Sequence, residues 1–329
     1  MAGVSTATAS RVINSPAKVQ DDTRERVQSA IRTLNWIPHG AAKALASFRT
    51  RTVGALIPNL GHQSITAMIE AMQQDLGDAG YTLLLGRPDL SLERTLRQAR
   101  KMIEHGVECL VLMGEEQPPE LMDFLHGRNV FYVVCYTSGR HGRLNCIGFD
   151  NYLEMSRLTE HLLELGHRNF ALVTRSYAGN DRIRQRIEAV RDTLAAAGLA
   201  IRPQHDVVAP SWQIGAGRDG MQTILSSKGP RPSAVICAND YLAAGALIEA
   251  KANGLRVPGD LSITGFDDIE LAAQLDPPLT TVRVPAAQIG HEVARFVIGT
   301  LDDGRADLPV RLPAELVIRG STGAPASAG

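Results

Sequence analysis

The sequence predicts an α/β protein of doubly wound parallel sheets in two subdomains, preceded by a small all-α segment. Three observations carry this. Short apolar runs alternate with amphipathic ones from Thr52 onward, the helical runs close on glycine, and excess positive charge is confined to the first 51 residues. A chain of 329 residues, 44% of them hydrophobic, has material for two or three domains with buried cores.

The strand candidates are 53–57, 81–85, 109–113, 130–135, 170–174, 234–238 and 262–265. Between the first two, Ile65, Met68, Ile69, Met72 and Leu76 recur at helical spacing, as Leu158, Leu162 and Leu165 do before Phe170. Regular alternation of this kind builds parallel sheets wrapped by helices. The helices close at Asp78-Ala79-Gly80, Glu104-His105-Gly106, Glu164-Leu165-Gly166, Ala197-Gly198 and Asn253-Gly254, where glycine accepts the left-handed conformation. The units exceed one compact sheet, and two sheets face to face accommodate them. Residues 321–329 are small and polar and read as a disordered tail, with no leucine heptad for a coiled coil.

Several function classes lack their signatures. Cys109, Cys135 and Cys237 sit inside apolar runs and Cys146 precedes Ile147, the pattern of buried reduced thiols rather than of a metal or redox pair. The nine histidines contain no HExxH, so no metal and no cofactor is expected. There is no GxGxxG after a strand, no P-loop and no GxSxG, which argues against an enzyme. Asp267-Asp268 imitates a catalytic carboxylate pair, but neighbouring residues diverge in direction. No apolar run approaches the roughly 20 residues of a membrane-spanning helix. The Ser/Thr/Ala-rich start lacks the core of a secretory signal, and a cytoplasmic protein with no membrane partner is expected.

Eight basic residues stand against three acidic ones through Arg51, a charge of +5, while 26 against 32 leave −6 for the rest. A modular nucleic-acid binder shows this division, and so does a solvated charged face. The motif decides between them. Ala2-Gly3-Val4-Ser5-Thr6-Ala7-Thr8-Ala9-Ser10-Arg11-Val12-Ile13-Asn14 is followed by Val19-Gln20-Asp21-Asp22-Thr23-Arg24-Glu25-Arg26-Val27, then by Leu34-Asn35-Trp36-Ile37-Pro38 and Ala41-Ala42-Lys43-Ala44-Leu45-Ala46. In that order these resemble the turn and recognition helix, third helix, exit and hinge helix of the LacI/GalR family of transcriptional regulators.

The resemblance implies a DNA-reading segment over residues 1–38 and a hinge over 39–51. Gly3 permits the turn, and Ser5 caps the recognition helix and can donate to phosphate. Thr6, Ala7 and Arg11 project towards base edges, with Arg favouring guanine. Thr8, Ser10, Asn14 and Thr23 suit phosphate, and Val4, Val12, Ile13, Val27 and Leu34 form the small core. His39, Leu45 and Ala46 belong to the hinge contacts, Leu45 as a wedge in the minor groove; an Ala-rich linker helix with Leu45 merely packed is the alternative. The family carries a further helix before Ala2-Gly3-Val4-Ser5. The expectation is therefore a helix-turn-helix without its first helix, whose recognition helix orders poorly. The alternative function is a truncated homologue or sugar-binding protein that only senses its ligand.

The body resembles the family's periplasmic-binding-protein-like domain over 52–322, through Val53-Gly54-Ala55-Leu56-Ile57-Pro58, Gly148-Phe149-Asp150-Asn151, Cys237-Ala238-Asn239-Asp240 and Ile263-Thr264-Gly265-Phe266-Asp267-Asp268. Its subdomains are expected at 52–150 with 284–311 and at 151–280 with 312–322. A periplasmic solute-binding protein shares this body but carries a signal peptide and no basic head. Asn59 follows VGALIP, Asp150 follows CIGF, Asn239 follows AVICA and Asp267 follows SITGF, apolar runs beyond whose carboxyl ends open α/β sheets bind ligands. Such groups suit a polyhydroxylated ligand; for Asn59 and Asp150 an Asx turn or helix cap competes, and for Asn239 and Asp267 the resemblance favours the ligand. Arg186 resembles the family's effector-binding arginine, with Arg182 and Arg184 close enough to compete. Three arginines favour an acidic ligand such as a sugar acid, or form a solvated face. Trp212 matches a position that stacks on a sugar, or plugs a gap. The partners implied are double-stranded operator DNA, a small-molecule effector and a second copy in a homodimer.

Overall fold

The structure, a computed structural model, describes residues 1–14, 16–36, 49–88, 92–139, 145–176, 179–304 and 311–326. The chain divides into two compact units, Met1–Thr50 and Arg51–Gly329.

The first unit holds α1 (Thr6–Asn14) and α2 (Asp21–Thr33). Gly3 turns the chain at a φ of 62°, and the Ser5 Oγ then accepts the Thr8 N–H at 3.1 Å, capping α1. Asp21 and Asp22 occupy the first turn of α2, where negative charge complements the helix dipole, and pair with Arg24 and Arg26. Among the described residues of this unit Val12 and Val27 are buried, on helices that pack together. Leu34, expected in the same core, is 55% exposed, because α2 ends at Thr33 and no described element covers it. Expected to order poorly, residues 6–14 instead form a regular helix held by the Ser5 cap. His39, Leu45 and Ala46 lie outside the described residues.

In the second unit, β1 (Thr52–Leu56), β2 (Thr82–Gly86), β3 (Cys109–Met113), β4 (Phe131–Cys135) and β5 (Cys146–Ile147) form a parallel sheet in the order β2-β1-β3-β4-β5. Val53 lies opposite Leu83 on one side and Cys109 on the other. The strands are apolar on both faces because both are covered. Val53, Ala55, Val111 and Val133 point into one core, and Leu56, Leu110, Leu112 and Val134 into another, with the period of two a strand imposes. The connecting helices are α3 (Gln63–Asp78), α4 (Leu92–Glu104) and α5 (Pro119–Gly127).

The second sheet repeats the pattern with β6 (Phe170–Arg175), β7 (Asp206–Ala209), β8 (Ala234–Cys237) and β9 (Ser262–Thr264) in the order β7-β6-β8-β9, again parallel. It is wrapped by α6 (Asn151–Glu164), α7 (Asp181–Ala196), α8 (Ile214–Ser226), α9 (Asp240–Ala252) and the short α10 (Glu270–Gln274). After β10 (Thr281–Arg283) the chain enters α11 (Ala286–Asp303), which packs on α3 of the first sheet, and β11 (Glu315–Val317) pairs antiparallel with β10. The α3–α11 contact is close because Gly290 has no side chain; a Cβ there would collide with the Met68 carbonyl. Gly217 and Gly245 likewise let α8 and α9 touch backbone to backbone.

The five glycines expected to close helices, Gly80, Gly106, Gly166, Gly198 and Gly254, have φ between 71° and 98°. The four cysteines are buried and unpaired. The expected tail is corrected in its first part. Ser321 is fully buried, its Oγ donating to the Ile263 carbonyl at 2.6 Å and accepting the Thr280 N–H at 2.8 Å. The Gly323 carbonyl lies 3.0 Å from His167 Nε2. Small polar residues here satisfy the exposed end of a sheet, and residues 327–329 lie outside the described ones.

Ser321→Ala strands a buried N–H and a buried C=O, at a cost of about 1–3 kcal/mol. Thermal unfolding of the variant is expected several degrees below that of the parent, since each kcal/mol moves Tm by roughly 2–4 °C at this size. An unchanged midpoint would contradict the strap.

Candidate functional site

Both sheets reverse their strand order, between β1 and β3 in one and between β6 and β8 in the other. Helices leave on opposite faces at such a point, which opens a crevice beyond the carboxyl ends of the strands. A cavity of about 810 Å³ lies at these ends, lined from the first sheet by Pro58, His62, Ser64, Arg87 and Tyr136 and from the second by Arg175, Asn239 and Asp267.

Asp267 is its organising residue. It is 6% exposed, and its backbone takes a φ of 113°, a region a side chain rarely adopts, at a cost of about 1–3 kcal/mol. The carboxylate faces His62 and Arg186. Its Oδ2 lies 3.2 Å from His62 Nε2 and its Oδ1 3.8 Å from an Arg186 terminal nitrogen. Arg186, 4% exposed, donates from Nε to Asn151 Oδ1 at 2.9 Å and from a terminal nitrogen to the Ala238 carbonyl at 3.0 Å. Its guanidinium lies on the Phe266 ring, 3.6 Å from the centroid.

These contacts close into a circuit. Asn151 donates from Nδ2 to the Tyr136 carbonyl at 3.2 Å, and the Tyr136 hydroxyl lies 2.7 Å from Ser64 Oγ. Ser64 Oγ is in turn 3.0 Å from His62 Nδ1, which returns the circuit to Asp267. Tyr136 also has positive φ, 69°, so the two sheets meet at two strained residues. Elsewhere the sheets are held by Asp181 accepting the Glu115 N–H at 2.9 Å and by the Glu270 N–H donating to Gln63 Oε1 at 2.9 Å.

The titratable groups respond to this burial. Desolvation, the largest influence on His62, works against its protonation; the facing Asp267 carboxylate outweighs it, and the His62 pKa is raised. Burial pulls the Arg186 pKa down, with Asp267 opposing. Asp240, 1% exposed, is held up to about 7 by burial first and by Asp267 second, although the Thr281 hydroxyl and the Ile269 N–H both donate to it.

Of the residues expected here, Arg186, Trp212, Asn239 and Asp267 line the cavity. Asn239 does so while its Oδ1 caps α9 through the Leu242 N–H at 2.9 Å, so cap and lining position coincide. Asn59 also lines it, with its Oδ1 closing an Asx turn on the Gly61 N–H. Asp150 departs from the expectation. Its Oδ1 caps α6 on the Leu153 N–H, its Oδ2 pairs with Arg311 at 3.2 Å, and it is not among the lining residues. Among the three arginines, Arg182 and Arg186 stand one helical turn apart on the cavity side, whereas Arg184 turns out to Glu116 and Glu188. Asp268 points away from Asp267, pairing with Arg283 and Arg319 at 2.7 Å each.

His62, Ser64, Tyr136, Arg87 and Arg175 were not expected. Arg87 follows β2 directly and Arg175 ends β6, so the strand-end rule applied to every strand reaches both. His62 and Ser64 lie just past Asn59 at the start of α3. Tyr136 follows β4 directly, so the same rule reaches it as well.

In the first unit, Thr6, Ala7, Ser10 and Arg11 lie on one exposed face of α1, with Thr8 half-buried beside the cap. Asn14 ends α1 and Thr23 lies half-buried in the first turn of α2.

Residues 1–39 match the profile described as bacterial regulatory proteins, lacI family, and residues 159–322 that of a periplasmic binding protein-like domain. The chain is 32% identical to the HTH-type transcriptional repressor PurR of Erwinia tasmaniensis, over 93% of this chain and 89% of the relative. To the HTH-type transcriptional repressor CytR of Escherichia coli K12 it is 30% identical, over 98% and 94%. A LacI-family regulator from Silicibacter pomeroyi shares the fold at a TM-score of 0.87 and 24% identity, covering 97% and 96% of the two chains. The Lac repressor dimer bound to operator and the anti-inducer ONPF superposes with a TM-score of 0.86 at 26% identity, covering 98% and 97%. With a helical reading segment ahead of two parallel sheets and relatives matched almost end to end, the chain belongs to the LacI family of transcriptional regulators.

Proposed function

We propose that the protein is a ligand-controlled transcriptional repressor, acting in the cytoplasm as a homodimer on a palindromic operator, with a sugar, sugar acid or related metabolite as effector. The observation that carries the ligand half is the circuit from Tyr136 through His62 and Asp267 to Arg186. It places hydrogen-bonding groups from both sheets around one cavity, so a ligand that engages them biases how the sheets sit. The solved Lac repressor with operator and anti-inducer supports extending that coupling to DNA. Trp212 offers an apolar face, and Asn239, Asp267 and Arg186 offer paired donors and acceptors to hydroxyls.

On the DNA side, Thr6, Ala7 and Arg11 read base edges, and Ser5, Thr8, Ser10, Asn14 and Thr23 hold phosphates. His39, Leu45 and Ala46 serve the hinge contacts.

Arg11→Ala is expected to weaken operator binding by about 1–3 kcal/mol and to relax preference at one base position, measured by mobility shift against operator variants. Uniform weakening at all positions would assign Arg11 to phosphate instead.

Arg186→Ala and Asp267→Ala each remove charge-assisted contacts of roughly 1.5–3 kcal/mol, so effector affinity should fall about ten- to a hundredfold. The check is operator binding with and without an effector found by thermal shift. Normal effector response in both variants would defeat the site assignment.

His62 gives a pH signature. Its pKa is raised in the folded protein, so its contact with Asp267 contributes stability fully below the unfolded value, about 6.5, and loses it as pH rises through the folded value. The Tm difference between the parent and His62→Gln is expected to be largest near pH 6 and to shrink towards pH 9. The Asp240 carboxylate, held up to about 7, also raises His62, so the comparison is repeated in an Asp240→Asn background to isolate His62. A difference independent of pH would remove His62 from the charged circuit.

A further inference from the structure

The cavity wall holds more positive charge than the circuit uses. Arg87, Arg175, Arg182 and Arg186 line it, against one lining carboxylate, Asp267, which His62 and Arg186 already share. Arg182 is 7% exposed; its Nε donates to Asn180 Oδ1 at 3.3 Å, while one terminal nitrogen is buried with no hydrogen-bond partner. Arg175 lies against Trp212, 5.9 Å from the ring centroid, and among the described residues neither it nor Arg87 is paired with a carboxylate. Away from the cavity, Arg184 pairs with Glu116 and Glu188, and Arg283 with Asp268 and Glu315. This excess stands in a body whose overall charge is −6 beyond Arg51.

A second feature faces the same space. The segment 211–215, which leads into α8, lines the cavity, and the Gln213 N-cap makes no side-chain cap bond. The first N–H groups of a helix without a side-chain cap favour an anion. A buried guanidinium nitrogen without a partner is costly, and a negatively charged ligand would relieve that cost at this position.

We propose that the effector of this cavity is an anion, a small metabolite bearing a carboxylate or phosphate group held by Arg87, Arg175 and Arg182 with the start of α8. The inference rests on the cavity being the ligand site. Trp212 and Tyr241 flank the body of the molecule, and the arginines select its charge.

The chain contains two tryptophans, so full-length protein carrying Trp36→Phe reports on Trp212 alone by fluorescence. Inorganic phosphate is titrated against chloride at equal ionic strength, followed by glucose, gluconate and glucose 6-phosphate, then ribose and ribose 5-phosphate. The expected result is a saturable signal with phosphate and not with chloride. Charged members of each set should bind at least about tenfold tighter than the neutral sugar, and Arg87→Gln and Arg175→Gln should each weaken them by roughly tenfold. Both side chains are accessible enough for the variants to fold, and Arg182→Lys should retain binding that Arg182→Gln loses. Carboxylate and phosphate members together tell which anion is preferred. A missing phosphate response, neutral sugars bound as tightly, or silent arginine variants would each overturn the proposal. The repressor reading fails separately: saturable anion binding without change in operator affinity removes it and leaves this inference standing, and operator release by a neutral sugar does the reverse.

Discussion

The contact of Asp267 with His62 and Arg186 is the interaction on which the second unit depends. It joins side chains carried by different sheets, so neither sheet alone defines the cavity. The cost of burying a carboxylate at 6% exposure is offset by His62 at 3.2 Å from one oxygen and by the Arg186 charge at 3.8 Å from the other. The same burial explains why Asp267 sits at strained φ: a relaxed backbone would turn the carboxylate away from one of its partners. Removing one member leaves a buried charge, and the loss spreads round the circuit rather than staying local.

Around that circuit the packing is set by absent side chains. Gly290 brings α11 against α3, and Gly217 and Gly245 bring α8 against α9, which fixes where the start of α8 meets the cavity. The crossing segments near Gly148, Thr280 and Arg311 carry the chain between sheets, with parallel bridges at Gly148–Arg311 and Thr264–Thr280.

Charge is distributed to the same end. Beyond Arg51 the chain carries a net −6, while the cavity gathers four guanidiniums. Ion pairs at the periphery, such as Arg256–Asp260 and Arg97–Glu93, are exposed and contribute little.

Much of the architecture was legible in the chain itself. All seven strand candidates became strands, displaced at most by a residue or two, because continuous apolar runs between glycine-closed helices can be buried only in a covered parallel sheet. The strands that escaped notice, β5, β7, β10 and β11, are of two to four residues or lie at sheet edges, where half-exposed positions erase the apolar signal. Ser321 was misread for a related reason: polarity signals exposure until a partner such as Ile263 takes up the hydrogen bond. Asp267, Asn239 and Arg186 were named from strand ends and family resemblance, and Asp150 by the same rule was not in the cavity, since following a strand does not say where a carboxylate finds its donors. Sequence determined the family, the sheets and the strand ends that face the cleft. Tertiary structure alone decided which of those polar groups converge, because His62 and Tyr136 are carried by one sheet and Asp267 by the other, and only their packing brings the three together.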